Sequence, residues 1–354
     1  MFRKVTLTAR CHVTKTLNIA FIGCGGISKY HVANVVASPL LRLVATMDVV
    51  EAAARERAQE GGADYWTTDL DRILADPNID AVMVFATHNT HAELTVQACE
   101  AGKHVFVEKP PAMTIQEAKR VQQVAHENNK HVMSGWWFKH SPITKRLREV
   151  IAQPQFVLFT CRIPRTNAKT GHPHSEDPYA ANGILDLAGY NLHWIWHVVR
   201  SQPVEVMAMG YGGQAANTST ILIRFENGAT GNSITSLAGG GGILPKHYAE
   251  VGAGDVSAAT LRFGNLVFEG TDEPGIVGNE YHNGFDEEMS MFADLCLNNG
   301  TNPMDIWEAC IPTVIFEKAV ESMDTGRAVP IDVHEEFYLP DGHLPPSIAQ
   351  FGDN

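Results

Sequence analysis

Glu108-Lys109-Pro110 closes the apolar run His104–Val107, well downstream of a glycine-rich turn, Gly23-Cys24-Gly25-Gly26-Ile27-Ser28. A lone lysine is ordinarily a solvated surface group. Between a glutamate and the Pro110-Pro111 pair, after a buried strand, it has a functional reading. Gly23-x-Gly25-x-x-Ser28 follows a strand-like run, Leu17–Ile22, and opens a helix, which is the context in which such a turn binds a dinucleotide. The first glycine permits the tight turn, and the second lets a pyrophosphate approach the backbone. The third position must be small so that helix and strand can pack, and Ser28 is small enough. Gly23, Gly25, Gly26 and Ile27 then present backbone to phosphates at a helix N-terminus. Together the two motifs describe a nucleotide-binding half-domain with Lys109 delivered to the edge of its cofactor cleft.

Asp48 ends the next apolar run, about twenty residues beyond the turn. A carboxylate there accepts hydrogen bonds from ribose hydroxyls and repels a 2′-phosphate. Neither Val49 nor Val50 supplies a cation for such a phosphate, so NAD is expected and NADP disfavoured. The plainer alternative is a turn-forming aspartate at a strand end.

These residues need a scaffold, and the pattern of residues 17–134 supplies one. Apolar runs at Leu17–Ile22, Leu41–Met47, Ala81–Phe85, His104–Val107 and His131–Met133 alternate with helical spacing at Ile27–Ala37, Glu51–Glu60, Thr90–Ala101 and Ile115–Asn128. Continuous apolar runs imply strands buried on both faces, hence a parallel, doubly wound Rossmann sheet. Gly102 fits a helix stop and Thr114 a helix cap. From residue 135 to 330 the grammar changes to an α+β domain. A helix starts at Ser141-Pro142, and a longer one spans Tyr179–Val199. Strand-like runs follow at Val204–Tyr211, Ser219–Phe225, Thr230–Ser236, His247–Val251, Ala258–Phe263 and Leu266–Glu269. Helices at Phe285–Asn298 and Asp305–Thr325 close the domain. Turns such as Glu226-Asn227-Gly228 predict a large, mainly antiparallel open sheet built from hairpins. Residues 1–16 read as an extension and 331–354 as a tail.

The chain has 354 residues and a net charge of −13, from 27 basic and 40 acidic residues. No basic stripe is present to neutralise phosphates, so nucleic acid is not an expected partner. No apolar run reaches the roughly 18–20 residues that span a bilayer, so no membrane partner is expected either. Residues 1–16 lack the apolar core and cleavage site of a secretory signal. The six cysteines are scattered without a Cys-x-x-Cys pair, which predicts reduced thiols in a cytoplasmic enzyme. His172 and His174 lack a third ligand of convincing spacing, so no metal is expected.

The glycine turn, Ala86-Thr87-His88-Asn89-Thr90-His91 and Ala101-Gly102-Lys103-His104-Val105-Phe106-Val107-Glu108-Lys109-Pro110 occur in order and at suitable spacing. Together they resemble the glucose–fructose oxidoreductase / inositol dehydrogenase / rhizopine catabolism (Gfo/Idh/MocA) family. Gly183-Ile184-Leu185-Asp186-Leu187-Ala188-Gly189-Tyr190 is similar to that family's second-domain helix motif, and the resemblance covers roughly residues 17–330.

The resemblance implies that Lys109 reaches the oxygen on the reacting carbon beside the nicotinamide. An ammonium there stabilises a developing alkoxide. It implies cofactor contacts from Thr87, Asn89, Glu108 and Lys109. His91 either caps its helix or joins them along the cleft. His88 stands where the family usually has proline. Asp186 and Tyr190, spaced i, i+4, project from one helix face. Tyr190 stands where many relatives carry an acid/base histidine. A phenol of pKa near 10 is a poor base at neutral pH unless a cation such as Lys109 lowers it. His193 is the reserve acid/base, or else a hydrogen-bonded histidine under the sheet. Substrate contacts are expected from Lys109, Trp136, Lys139, Arg162, Asp186 and Tyr190. Trp136 and Trp137 are equally able to fill a core.

The function implied is hydride transfer between NAD(H) and a sugar, sugar derivative or cyclitol, with substrate between the nicotinamide and the open sheet. A glycosidase using held NAD for transient oxidation, and a ligand sensor on the same fold, share these motifs. Retention of Lys109, Asp186 and Tyr190 argues against the sensor. An uncovered face on the antiparallel sheet predicts a homodimer or homotetramer.

Overall fold

Runs of branched and aromatic residues form six strands: β1 (Leu17–Ile22), β2 (Leu41–Met47), β3 (Tyr65–Thr67), β4 (Ala81–Val84), β5 (His104–Glu108) and β6 (Val132–Gly135). They make one parallel sheet in the order β3-β2-β1-β4-β5-β6. The computed structural model describes residues 15–162, 184–211, 218–237, 246–261, 264–277 and 284–333.

Side chains alternate across each strand, so one sheet feeds two cores. Ala20, Ile22, Val82, Val84, Val105 and Val107 face one side. Ile19, Phe21, Ala81, Met83 and Phe106 face the other. Helices α1 (Ser28–Ala37), α2 (Glu51–Gly61), α3 (Leu70–Ala75), α4 (His91–Glu100) and α5 (Ile115–Glu127) make the crossovers. Thr114 caps α5 in a reciprocal box with Glu117, and Gly102 takes a φ of +78° after α4. The short β3 and α3 were not legible in the sequence. Three strand residues carry no usable period, and α3 buries only Ile73.

After β6 come α6 (Trp137–His140), α7 (Pro142–Val150) and β7 (Phe156–Arg162), then α8 (Ile184–Val199). The strands β8 (Pro203–Tyr211), β9 (Thr218–Phe225), β10 (Thr230–Ser236), β11 (His247–Ala253), β12 (Val256–Leu261) and β13 (Asn265–Glu269) follow. The chain continues through α9 (Phe285–Asn298), α10 (Ile306–Thr325) and β14 (Val329–Pro330). The second sheet runs β13-β12-β11-β7-β10-β9-β8-β14. Sequence patterning overlooked β7. It is the central insertion, parallel to β10 and antiparallel to β11, so the sheet is mixed rather than wholly built from hairpins.

α8 covers one face of this sheet and is apolar nearly all round, burying Leu187, Leu192, Trp194, Ile195, Trp196 and Val199. Asn191 Nδ2 pins it to the sheet through Ser233 Oγ at 3.0 Å. α9 does not stay with the second sheet. Met289, Phe292 and Leu295 return to pack with Ile19, Phe21 and Val32 of the first domain. The far face of the second sheet leaves Met207, Met209, Leu222, Leu261 and Val267 exposed.

Gly23 has φ +91°, and a Cβ there would lie 2.6 Å from Phe85 C and Ala86 N. A Cβ on Gly25 would meet nothing within 4 Å. Gly23→Ala is therefore expected to cost at least about 2 kcal/mol, and Gly25→Ala less than about 0.5 kcal/mol. Urea unfolding of both variants checks this. Equal midpoints would refute the close approach as the constraint on Gly23.

Candidate active site

The turn between β1 and α1 is tied to the end of β2. Gly23 N–H donates to Met47 O at 2.8 Å. Cys24 N–H donates to Asp48 Oδ2 at 2.7 Å, and Val50 N–H to Asp48 Oδ1 at 2.8 Å. Asp48 is half-buried, and each carboxylate oxygen retains a lone pair for a ribose hydroxyl. Ser28, expected only to be small, also bridges: it donates to Gly25 O at 2.7 Å and accepts from the buried Arg57 Nε at 3.0 Å. Burial pushes the Cys24 thiol up to about 12, with Asp48 adding to the effect, so this cysteine is inert.

The residues fit a dinucleotide. Open space lies outside both Gly25 and Gly26, where a Cβ would otherwise block a pyrophosphate. No side chain caps the N-terminus of α1, and no acidic residue occupies its first turn. Anion-seeking N–H groups are thereby left available.

Beyond β4, Thr87 and Asn89 are exposed on a short 3-10 turn, His88–Thr90, beside the strand end that Gly23 touches. His91 is 1% exposed and does not line the cleft. Its Nδ1 lies 2.8 Å from Pro110 O and its Nε2 3.0 Å from Ala86 O. Burial lowers its pKa to about 4, with His88 adding to the effect, so a neutral ring donates to one of these two carbonyls. It staples the β4 loop to the segment after Lys109, which corrects the expectation of a cofactor contact. Glu108 is likewise buried rather than cleft-facing: it lies 2.7 Å from His31 Nε2 and accepts its neighbour's Lys109 N–H at 3.1 Å.

Lys109 and Tyr190 meet in the structure. Lys109 Nζ lies 4.0 Å from the centroid of the Tyr190 ring. Trp136 meets that ring edge-on at 6.3 Å and Phe138 at 5.2 Å, which fixes its plane. Beside them opens a cleft lined by His88, Lys109, Met113, Trp136, Gly189 and Thr313, among others.

The lining shows what sequence reasoning missed. Thr313, Phe316 and Glu317 of α10 form one wall, and Thr313 Oγ1 donates to Ala112 O at 3.3 Å. Their helical period read only as a core helix. Gly189 of α8 lines the cleft as well.

Three other expectations are corrected by position. His193 is 1% exposed and stacks at 4.3 Å on Trp136. Burial holds its pKa well below the usual histidine range, with Lys139 and His140 adding to the effect, so it is a neutral packing ring rather than an acid/base. The Lys139 ammonium is held by Glu308 and by Pro303 O, and Lys139 is not among the residues that line the cleft. Arg162 is exposed on the far face of the second sheet, opposite the buried Cys161 that faces α8. Asp186 lies on the α8 backbone one turn before Tyr190, and its side chain falls outside the described residues, as do His172 and His174. Among the described residues no group of three or more His, Cys, Asp or Glu is placed to hold a metal ion. No helix among them is long and apolar enough to cross a membrane.

Comparison with known proteins agrees with this architecture. Residues 17–136 match the oxidoreductase family with an NAD-binding Rossmann fold. The scyllo-inositol 2-dehydrogenase (NAD(+)) of Bacillus subtilis (strain 168) is 25% identical over 342 residues, covering 90% of this chain and 97% of that protein. Myo-inositol 2-dehydrogenase of Thermotoga maritima is 27% identical over 279 residues, covering 75% and 81% respectively. A levoglucosan dehydrogenase solved with NADH superposes with a TM-score of 0.80 at 20% identity, covering 90% of this chain and 100% of that one, and so shares the fold. The family match runs through the strands and turns that carry the glycine turn, Asp48 and Lys109, and residues 17–136 are an NAD-binding domain of the Gfo/Idh/MocA oxidoreductase family.

Proposed function

We propose that this enzyme transfers hydride between NAD(H) and a hydroxyl or carbonyl carbon of a sugar, sugar derivative or cyclitol. The observation that carries the reading is the Lys109 ammonium, 4.0 Å from the Tyr190 ring centroid, in a cleft that His88 of the β4 loop also lines. The substrate class follows the names of the relatives, which act on inositols and levoglucosan. The nicotinamide, when bound, supplies or takes up the hydride.

The chain's own residues do the rest. Lys109 Nζ stabilises negative charge as it develops on the substrate oxygen. Tyr190 Oη exchanges the proton with that oxygen, accepting it in oxidation and donating it in reduction. Asp186, one helical turn earlier, orients substrate or lysine. Trp136 and Phe138 hold the phenol in register, while Thr87 and Asn89 flank the cofactor. Five free cysteines among the described residues suit a cytoplasmic location.

A panel of aldoses, cyclitols and amino sugars assayed with NAD tests the class, and absence of NADH formation with every member would count against it. Lys109→Ala should leave NAD affinity within about twofold yet lower kcat by roughly two to three orders of magnitude. Tyr190→Phe should lower kcat and alter the basic limb of the pH–rate curve, whereas His193→Ala should leave that limb in place. A Lys109→Ala enzyme with near-normal turnover would refute the mechanism.

Asp48, with no cation at Val49 or Val50, should favour NADH over NADPH at least tenfold, about 1.4 kcal/mol. Fluorescence titration measures both, and equal affinity would remove Asp48 from its role. Burying Met207, Met209, Leu222 and Val267 calls for a second copy, so the assembly should be a dimer or tetramer joined through second-domain sheets. Light scattering that finds a monomer at micromolar concentration would contradict this.

A further inference from the structure

Beneath Lys109 lies a buried chain of polar contacts that begins on the cofactor helix. His31, on α1, is 0% exposed and its Nε2 lies 2.7 Å from Glu108 Oε1. Glu108 Oε2 accepts the Lys109 backbone N–H at 3.1 Å. A carboxylate only accepts, so His31 Nε2–H is the donor and Nδ1 is the bare ring nitrogen. That Nδ1 is buried without a partner. The ring is caged by Phe85, stacked at 4.6 Å, and by Phe106 and Phe285 edge-on at 5.4 Å and 4.9 Å. A phenylalanine would fill this cage without a stranded nitrogen, so packing alone does not account for an imidazole here.

We propose that His31 is a positioning residue for Lys109, acting through Glu108 to register the reacting lysine against the helix that binds the cofactor. The proposal rests on the catalytic reading of Lys109 given above. Its physical basis is that α1 fixes the dinucleotide while β5 fixes the lysine. A small slip between two such elements is enough to spoil a reacting geometry.

The groups facing Glu108 are His31 from α1, Lys109 beside it, Glu288 from α9 and His91 from α4. Burial keeps Glu288 protonated by raising its pKa well above the ordinary range, with Glu108 adding to the effect. Burial also pushes Glu108 up, but the His31 hydrogen bond, with Lys109, more than offsets this and holds it below the ordinary range. Remove His31 and the chief opponent of burial is gone. Glu108 then takes up a proton at higher pH than before.

The test measures kcat, KM, NADH affinity and pH–rate profiles for His31→Phe and His31→Gln in the full-length enzyme. His31→Phe should lower kcat roughly ten- to a hundredfold with NADH affinity within about threefold. It should also gain an acid limb, losing activity as pH falls through the raised Glu108 pKa. His31→Gln, whose amide N–H can still donate, should keep kcat within about threefold of wild type and lack the new limb. If His31→Phe does not fold, Glu108→Gln, which preserves shape while removing charge, should show the same loss of kcat. A fully active His31→Phe, a His31→Gln as impaired as His31→Phe, or a fully active Glu108→Gln would each overturn the proposal. The double variant with Lys109→Ala should lose no more than Lys109→Ala alone. Additive losses would show that His31 does not act through the lysine. Near-normal turnover in Lys109→Ala would instead sink the catalytic reading itself, and the positioning proposal with it.

Discussion

The contact between the Lys109 ammonium and the Tyr190 ring joins the two halves of this enzyme, because its partners come from the end of β5 and the first half of α8. A desolvated cation over an aromatic face is worth about 2 kcal/mol, far less than the cost of ordering the segments that carry it. The contact therefore cannot hold the halves together. It has to be imposed by the packing of α8 and α10, whose buried side chains share one core with Val105 and Val107 of the first sheet. The Lys109–Tyr190 contact is a consequence of the joint.

Polar contacts in that joint decide its alignment. Lys139 of α6 meets Glu308 of α10, and Trp136 N–H donates to Glu288 of α9 at 2.5 Å. Arg148 of α7 lies 2.5 Å from His197 of α8. Breaking the buried Lys139–Glu308 pair by deleting one partner costs about 3–5 kcal/mol, because a charge is left without compensation. Apolar surfaces tolerate sliding, whereas these pairs penalise it. Burial together with Lys139 also keeps the rings of His193 and His197 neutral, so they stack at 6.1 Å without mutual repulsion.

Much of the first domain was legible because its signals are local. The apolar runs, the Thr114 cap and the glycine turn each announce themselves within a few residues, and Asp48 stands at a fixed offset from the turn. Lys109 and Tyr190 were legible through family motifs, since nothing in their spacing shows that the two side chains meet. What escaped was nonlocal. β7 is a short alternating strand whose partners β10 and β11 lie far along the chain, so its parallel pairing left no hairpin signature. Lys139 and Arg162 carried the right charge for a substrate site, but only tertiary structure reveals Glu308 beside one and the far sheet face behind the other. Thr313 and Phe316 sit on a helix whose period announces burial without saying that part of the buried surface is a cleft wall.

The two carboxyls beneath the site show why their environment matters more than their identity. Glu108 and Glu288 are both buried, yet the first is held below and the second well above the ordinary carboxyl range. Two neighbouring anions would repel strongly in a medium of low dielectric, so the arrangement survives by leaving one of them neutral. Their linkage to folding has opposite signs. The stability contributed by Glu108 is present above its unfolded pKa of about 4.3 and is lost as pH falls through its folded value. That of Glu288 is present below the unfolded value and is lost as pH rises through its own raised folded pKa. The charge that remains is placed next to the Lys109 backbone and one hydrogen bond from α1.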